Sequence, residues 1–337
     1  MWLEEFKTNP IEALLTSENN AIIYFTNRDL LSKKEKAIEY IWNLSEPIKI
    51  LKKQKGDGTW KYPGKKANLF PPHHYSLIET WKKLRILVKR YEFTKEHPNI
   101  VKAAEFMFSC QTEEGDIRGM IGNQYATYYT GAMMAVLIRA GYVSDPRIEK
   151  GFQWLLSMRQ DDKGWTIPIL THNFDKKTIY RLTSENVNPV QPDKSKPFSH
   201  NWTDMVLRAF AVHPKYSKSK DARIAGELLK SRFFKNDYYT SYKSAYYWIR
   251  FVFWWTNLYT SLDTLSRLGF SINDPDIRLG LEWFVNHQKE DGLWDLTYMP
   301  GKSVKENKKS TTERQWLSLN ICRMFKRFYD LENNYLI

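Results

Sequence analysis

The chain has 337 residues, of which 42% are hydrophobic and 26% are charged, so it can bury a core large enough for one large domain or two ordinary ones. Its formal net charge is +13, from 51 Lys and Arg against 38 Asp and Glu. The lysines are scattered beside acidic residues and accompany no nucleic-acid-binding motif. We therefore expect no nucleic-acid partner, while peripheral contact with an anionic membrane surface stays an open alternative.

The cysteines and the N-terminal sequence exclude several further classes of protein. Cys110 and Cys322 are far apart and have no metal-ligand spacing, so we expect neither a disulfide framework nor a CxxC metal site. The opening MWLEEFKTNP lacks the basic and apolar regions of a signal peptide, and no apolar run is long enough to span a membrane. We expect a cytoplasmic protein that uses no metal and no cofactor.

The first predicted element is a helical leader, residues 1–35, which packs on the remaining domain, residues 36–337. The prediction depends on the segment NPIEALLTSENNAIIYFTNRDLL, residues 9–31 of the leader. In that segment Asn20, Tyr24 and Asp29 fit helix-cap and packing roles.

A helix that ends in a tight acidic turn then recurs along the chain. The copies are IKILKKQKGDGTW (48–60), EFMFSCQTEEGDI (105–117), QWLLSMRQDDKGW (153–165) and EWFVNHQKEDGLW (282–294), with a worn fifth copy in RIAGELLKSRFF (223–234). In the four clear copies a Gln or Arg precedes a Trp or Ile by six positions: Gln54 and Trp60, Gln111 and Ile117, Arg159 and Trp165, Gln288 and Trp294. Such self-similarity is typical of a helical repeat.

The helices before these turns also repeat, since IRAGYVSDPRIEKGFQW (138–154) matches SRLGFSINDPDIRLGLEW (266–283). Each copy predicts a helix, a glycine that ends it, an Asp-Pro start and a second helix. The residues concerned are Gly141, Asp145 and Pro146 in one copy and Gly269, Asp274 and Pro275 in the other. One repeat is therefore a helical hairpin.

The two helices of a hairpin differ in character. TGAMMAVLIRAGY and FVFWWTNLYTSLDTLSRLGF are apolar nearly all round, which predicts burial on every side, whereas the helices after Asp-Pro carry charge on one face. An inner ring of buried helices within an outer ring of amphipathic ones satisfies both patterns. The sequence thus predicts an all-α fold, an α/α toroid of repeated hairpins.

Several candidate binding residues lie at the starts of the predicted inner helices. The segment PPHHY places His73 and His74 at the first of them, where a cap or rim role is favoured over joint metal ligation because adjacent side chains point in different directions. Aromatic residues that would line a cavity, or simply fill the core, are Tyr128, Tyr129, Trp202, Trp254 and Trp255.

An Asp-x-x-x-Arg spacing occurs twice on these helices, as Asp204 with Arg208 and Asp263 with Arg267. Thr256, Thr260, Asp263 and Arg267 share one helical stripe, and a polar stripe on a buried helix must face a partner or a cavity. The pairs are interpreted either as structural ion pairs or as a general acid or base tuned by its arginine, with His200 available as a proton relay to Asp204.

One connection breaks the repeat. Residues 166–198 contain four prolines and little periodicity, and a structureless loop of that length is usually functional or disordered. Because it would lie beside Trp202 and Asp204, we interpret it as a lid over the cavity. Residues 295–312 are a shorter candidate of the same kind.

The Gln and acidic Gly-x-Trp turn after KGFQWLL or LGLEWFV resembles the QW repeat of the squalene cyclase and protein prenyltransferase β-subunit superfamily, over residues 36–330. The leader resembles that of an uncharacterised group of bacterial and archaeal squalene-cyclase-like proteins. The resemblance implies an α/α toroid around an apolar cavity, with the repeated Gln capping the next helix and stacking on the Trp.

The catalytic motifs of that superfamily are missing from the sequence. There is no DxDD motif, because NDPDI (273–277) only mimics it at a hairpin turn, and no Asp stands two residues before either cysteine to form the prenyltransferase zinc site. We expect a protein that binds a hydrophobic prenyl or terpenoid-like molecule in the cavity, with acid-base chemistry by Asp204 or Asp263. The alternatives are a carbohydrate-active α/α barrel and a non-catalytic binding or scaffold protein.

Overall fold

The computed structural model describes residues 2–239, 242–251 and 254–335, and in these ranges the chain is helical, which confirms the predicted all-α class. A short strand, β1, covers Met120–Asn123, and 3-10 or π turns cover Trp2–Glu5, Thr26–Leu30, Ile138–Tyr142, Pro168–Thr171, Tyr216–Lys218 and Ala245–Ile249. The α-helices are α1 (Ile11–Leu15), α2 (Asn20–Phe25), α3 (Glu39–Trp42), α4 (Ser45–Leu51), α5 (His74–Tyr91), α6 (Pro98–Ser109), α7 (Thr127–Leu137), α8 (Pro146–Ser157), α9 (Lys176–Ser184), α10 (His200–Val212), α11 (Lys220–Lys230), α12 (Leu258–Arg267), α13 (Pro275–Asn286) and α14 (Lys308–Tyr335).

The chain divides into two compact units. Unit 1 combines residues 1–41 with residues 226–337, and unit 2 is residues 42–225. Each unit contains helical hairpins and some of the predicted site residues.

In unit 2 the buried helices α5, α7 and α10 carry the predicted inner-helix residues. Helix α7 is buried nearly all round, as its apolar sequence predicts, and α10 packs along it. The two backbones come close at Gly131, where an added Cβ would lie 2.6 Å from the Cα of Val206.

The predicted ends of the outer helices are confirmed. Helix α8 begins at Pro146, and the Asp145 carboxylate accepts a hydrogen bond from the backbone N–H of Arg147 at 2.9 Å. Helix α13 begins at Pro275 and is capped by Asp274 in the same way. The glycines that end the preceding helices have positive φ, 100° at Gly141 and 73° at Gly269, a conformation that glycine adopts without steric cost.

The repeated turns tie one hairpin to the next. In unit 2 the amide nitrogen of Gln111 donates to the carbonyl oxygens of Gly115 and Arg147, both at 2.8 Å, so the turn is bound to the start of α8. Arg159, in the Gln place of the next copy, donates to the Lys163 carbonyl at 3.0 Å and pairs with Asp221 near the start of α11. In unit 1, Gln288 makes the equivalent bond to the leader, at the Thr8 carbonyl.

The leader differs from its prediction in one residue. Asn19, not Asn20, caps α2, by accepting a hydrogen bond from the Ala21 backbone at 3.0 Å, because Asn20 is already the first helical residue. Tyr24 donates its hydroxyl to the Lys36 carbonyl at 2.8 Å, and Asp29 accepts from Arg323 of α14.

Two predicted segments also differ. Helix α12 begins only at Leu258, because the Asn257 side chain caps it and Thr260 completes a capping box, so Trp254, Trp255 and Thr256 precede the helix. Val252 and Phe253 of the same predicted helix lie outside the described residues. The stretch 166–198 is not structureless, since it contains the turn Pro168–Thr171 and helix α9, and α9 packs on β1. Its action as a lid stays a prediction.

Candidate functional site

Aromatic rings from two helices meet in unit 2. The Tyr128 ring, in the first turn of α7, lies 4.5 Å from the Trp202 ring of α10 and 4.3 Å from the neighbouring Tyr129 ring, at interplanar angles of 38° and 36°. Tyr128 and Trp202 are buried, whereas Tyr129 keeps some exposure. The structure thus brings together three of the five predicted aromatic residues on the closely packed pair α7 and α10.

The first Asp-x-x-x-Arg pair follows Trp202 on α10. Arg208 Nη2 lies 2.6 Å from Asp204 Oδ2, and Arg208 Nε lies 3.2 Å from the same oxygen. The Asp204 side chain is 0% exposed, and that of Arg208 is 13% exposed. A buried carboxylate requires such a partner, and of the two side chains only that of Arg208 keeps exposed surface.

Arg85 of α5 is a third polar residue near this pair, and the sequence analysis did not identify it. Its burial and the nearby positive charge of Arg208 lower the pKa of Arg85 to about 9. Its guanidinium lies 5.3 Å from the centre of the Trp81 ring, one helical turn earlier. The sequence did contain a signal for Arg85. Thr80 precedes Arg85 by five positions, which is the spacing of Thr203 and Arg208.

The predicted histidines occupy helix starts in unit 2. His200 is the first residue of α10, buried, one helical turn before Asp204. His74 lies 2.7 Å through Nδ1 from the Gly119 carbonyl, and His73 lies 3.2 Å through Nε2 from the Arg118 carbonyl, so both fix the start of α5 beside β1. Burial lowers the pKa of His74. His73 makes no side-chain cap hydrogen bond, and the rim role of the pair stays a prediction.

The second Asp-x-x-x-Arg pair lies on α12 in unit 1, and it is part of a larger cluster. Asp263 Oδ2 lies 3.2 Å from Arg267 Nε, and Asp263 Oδ1 lies 2.9 Å from Arg327 Nη1 of α14. The Asp263 side chain is 20% exposed. Tyr259, one turn earlier on α12, has its pKa raised by burial and then by the Asp263 carboxylate. Sequence spacing identified Asp263 and Arg267 but not the arginine from α14.

Trp254 and Trp255 stack on each other just before α12, with ring centres 4.8 Å apart and an interplanar angle of 18°. The Trp255 ring also lies 5.0 Å from the Tyr242 ring. The two tryptophans therefore form a separate aromatic group in unit 1.

A shallow cleft lies on the surface of α13, also in unit 1. Its volume is about 270 Å³, and its lining is mostly apolar: Phe234, Leu279, Glu282, Trp283, Asn286 and His287. The Trp283 ring stacks on His287 at 4.1 Å. None of the predicted site residues lies in this cleft.

The described ranges also bear on metals and membranes. Within them, no group of three or more His, Cys, Asp or Glu residues is arranged to hold a metal ion. None of the helices seen there combines the length and the apolar character that a membrane-spanning helix needs.

No protein-family model matches the sequence, and no curated protein matches it. Among solved structures, the chain is similar to the type II terpene cyclase MstE from Scytonema in its apo form, at 10% identity and a TM-score of 0.34, with 87% of this chain and 99% of that chain covered. A variant of MstE in complex with geranylgeranyl dihydroxybenzoate, its substrate, is similar at 10% identity and a TM-score of 0.34, with 87% and 97% covered. A variant in complex with merosterolic acid A, its product, is similar at 9% identity and a TM-score of 0.32, with the same coverage.

Proposed function

We propose that the chain binds a hydrophobic small molecule of the prenyl or terpenoid class, and that an aspartate of an Asp-x-x-x-Arg pair transfers a proton to or from it. The observation that carries the proposal is the contact between Tyr128 of α7 and Trp202 of α10, because α10 also carries the Asp204–Arg208 pair. Flat rings offer an apolar surface to a hydrocarbon, and the charged pair offers a polar group to one end of it.

The two aspartates differ in their access to a ligand. Asp204 has no exposed surface and acts by positioning Arg208, whereas Asp263 keeps 20% of its side chain exposed and is the carboxylate that a bound molecule can contact. Proton transfer requires that contact, directly or through one water. Within unit 1, Asp263 is therefore the candidate for proton transfer to a molecule bound in that unit, and within unit 2, Asp204 is a positioning residue that holds Arg208.

Ligand binding is tested by native mass spectrometry of the purified protein, followed by organic extraction, and by titration with the prenyl alcohol geranylgeraniol. We expect a prenyl or polycyclic lipid to co-purify, and Trp202→Ala to weaken binding of the alcohol about tenfold through loss of ring contact. Trp283→Ala, outside the proposed surface, is the matched control. An empty protein that does not bind the alcohol would refute the proposal.

Proton transfer is tested with the ligand that extraction identifies. Asp263→Asn should abolish turnover, because the amide cannot accept or supply the proton, and Asp204→Asn should reduce it through the misplaced Arg208. Asp145→Asn replaces an aspartate that also pairs with an arginine but caps an outer helix, and it should retain turnover. Full activity in both Asp204→Asn and Asp263→Asn would remove the catalytic assignment.

A further inference from the structure

The cleft on α13 in unit 1 has aromatic walls that neighbouring residues hold in place. Phe234, from the turn after α11, and Trp283 of α13 both line it, with ring centres 6.5 Å apart and an interplanar angle of 38°. His287 stacks on Trp283 at 4.1 Å, and its Nδ1 lies 2.8 Å from the Trp283 carbonyl oxygen. The Tyr298 ring meets the Trp283 ring edge-on at 5.1 Å. The walls are therefore preorganised for a ligand.

Phe234 has a backbone conformation that a bulky residue rarely adopts. Its φ is 59°, in the left-handed region, where a side chain costs free energy. The turn is fixed on both sides, because Lys230 Nζ lies 2.8 Å from Asp274 Oδ2 and Trp248 Nε1 donates to the Lys235 carbonyl at 3.0 Å. Strained residues of this kind cluster at functional sites. Here the strained residue places its ring in the wall of the cleft.

The only formal charge in the lining is negative. Of the six described residues that line the cleft, none is Lys or Arg, and one is an acid, Glu282. Within the described ranges the Glu282 carboxylate forms no ion pair and accepts no hydrogen bond. Arg278, one helical turn earlier on α13, donates instead to Asn273 Oδ1 at 3.3 Å. The carboxylate is thus available to a cationic ligand.

The two lysines that adjoin the lining residues are bound to backbone oxygens. Lys7 Nζ donates to the Asn286 carbonyl at 3.2 Å, and Lys235 Nζ donates to the Ser231 carbonyl at 2.8 Å. Neither ammonium group contacts the Glu282 carboxylate. The charge of the lining is therefore not neutralised by contact with these side chains.

We infer that this cleft binds a free, small quaternary ammonium compound, with Phe234 and Trp283 against its methyl groups and Glu282 balancing its charge. Ring faces attract a cation within about 6 Å of their centre, and tryptophan does so most strongly. A fully methylated ammonium ion suits a mostly apolar lining better than a primary one, because it has no N–H donors that require acceptors. The volume of about 270 Å³ is just below the range of sites for drug-sized ligands, which suits a small molecule. The site does not depend on the hydrophobic ligand proposed for unit 2, nor on proton transfer by Asp263.

Calorimetric titration of the full chain with choline and with the neutral alcohol dimethylbutanol tests the site. The alcohol has the shape of choline, but a carbon atom replaces the charged nitrogen. The wild type should bind choline at least about fivefold more tightly than the alcohol, because only the cation is attracted by ring faces and by a carboxylate. Absence of saturable choline binding, or equal binding of the two molecules, would overturn the assignment.

Glu282→Gln keeps the size of the side chain and removes its charge. It should weaken choline binding about two- to fivefold and leave binding of the alcohol unchanged. Because the Glu282 side chain is exposed and unpaired, this variant should fold. Glu290→Gln changes an exposed glutamate of the following turn, outside the lining, and should bind choline as the wild type does. Equal choline affinity in Glu282→Gln and Glu290→Gln would contradict the charge match.

Trp283→Ala removes the ring itself and should lower choline affinity at least about fivefold, and unchanged affinity would contradict the aromatic contact. The same titration with trimethyl-lysine, blocked at both ends, distinguishes two sources of the ammonium group. Tighter binding of choline supports a free small molecule. Tighter binding of trimethyl-lysine would refute it in favour of a modified protein side chain.

Discussion

Hydroxyl residues on the inner helices complete the ties made by the repeated turns. The backbone N–H of Ile117 donates to Thr130 Oγ1 at 3.2 Å, that of Trp165 to Thr203 Oγ1 at 2.9 Å, and that of Trp294 to Ser318 Oγ at 3.1 Å. Each of these three turns is thereby bound to an inner helix through a Thr or Ser, while its Gln or Arg bonds to the start of α8, to the start of α11 or, for Gln288, to the leader.

The sequence predicted the turns but not these hydroxyl partners. The Gln and Trp of a turn recur at a fixed local spacing, whereas the hydroxyl lies on another helix at a distance that depends on loop length. The arginines show the same difficulty. Arg208 lies five positions after Thr203, and Arg323 lies five positions after Ser318. This spacing can be recognised only after the hydrogen bonds of the two hydroxyl groups are known.

His97 predicts a pH dependence of stability. It caps α6, and its Nδ1 accepts a hydrogen bond from the Asn99 backbone at 3.3 Å. Burial lowers the pKa of His97 below that of an unfolded histidine, about 6.5, so the unfolded chain binds the proton more readily. The contribution of His97 is therefore present above that pH and is lost as the pH falls through its lower folded value, because a protonated ring cannot accept the bond.

His97→Asn keeps a capping side chain that does not titrate. The melting temperature of this variant, measured from about pH 8 to pH 5, should fall less than that of the wild type. His172→Asn changes a half-buried histidine of unit 2 that caps no α-helix; it is the control and should follow the wild-type curve. If the melting temperature of His97→Asn falls with pH as steeply as that of the wild type, groups other than His97 set the acid sensitivity.

At the scale of elements, Gly131 sets the distance between α7 and α10. A Cβ there would meet backbone, 2.6 Å from the Val206 Cα, whereas a Cβ at Gly151 would meet the sulfur of a flexible side chain, Met134 Sδ, also at 2.6 Å. Both glycines lie in helices, where alanine is otherwise favoured by about 1 kcal/mol. Nothing in the local sequence distinguishes them, because the difference lies in the neighbouring helix.

Gly131→Ala should therefore destabilise the protein by about 1–3 kcal/mol, since α10 must move to make room, and it should disturb the Tyr128–Trp202 contact. Gly151→Ala should have a much smaller effect, because the Met134 side chain can change its rotamer. Chemical denaturation measures the loss of stability in each variant. Near-ultraviolet circular dichroism reports the disturbance of the Tyr128–Trp202 contact. Similar losses for the two variants would contradict the close approach of the backbones.

The start of helix α12 was predicted too early, because a long apolar run precedes the residues that cap the helix. The run around Trp254 and Trp255 predicts a continuous buried helix, yet Asn257 and Thr260 form a capping box that begins the helix at Leu258. The Asn-x-x-Thr spacing was present in the sequence, but capping residues are a weaker signal than a long apolar run. Of the predicted stripe, Thr260, Asp263 and Arg267 lie within α12, whereas Thr256 precedes the helix.

For the molecule as a whole, the repeats predicted the all-α class from local patterns alone, but not the partners of the leader. Those contacts join residues far apart in sequence, as in the bond from Gln288 to Thr8, which spans 280 positions. In unit 1 the Phe6 ring lies 5.2 Å from the Trp294 ring and 4.7 Å from the Phe325 ring. The leader thus takes the place of a following hairpin for the last turn.

Phe6→Ala should lower the free energy of unfolding by about 3 kcal/mol, because it removes a buried ring that contacts two other aromatic residues. Urea denaturation followed by tryptophan fluorescence provides the measurement, since Trp294 lies against Phe6. Glu5→Ala changes an exposed neighbour and should alter stability by less than about 0.5 kcal/mol. A loss in Phe6→Ala no larger than in Glu5→Ala would mean that the leader contributes little.

The division of unit 1 into residues 1–41 and 226–337 has a consequence for synthesis on the ribosome. The leader is made before unit 2, but the residues it packs against, Trp294 and Phe325, are made after unit 2. All of unit 2 is translated in the interval, and domains generally fold as they emerge. The apolar side chains of the leader therefore lack their native contacts until Trp294 and Phe325 have been translated, and in that interval they are exposed to chaperones and to aggregation.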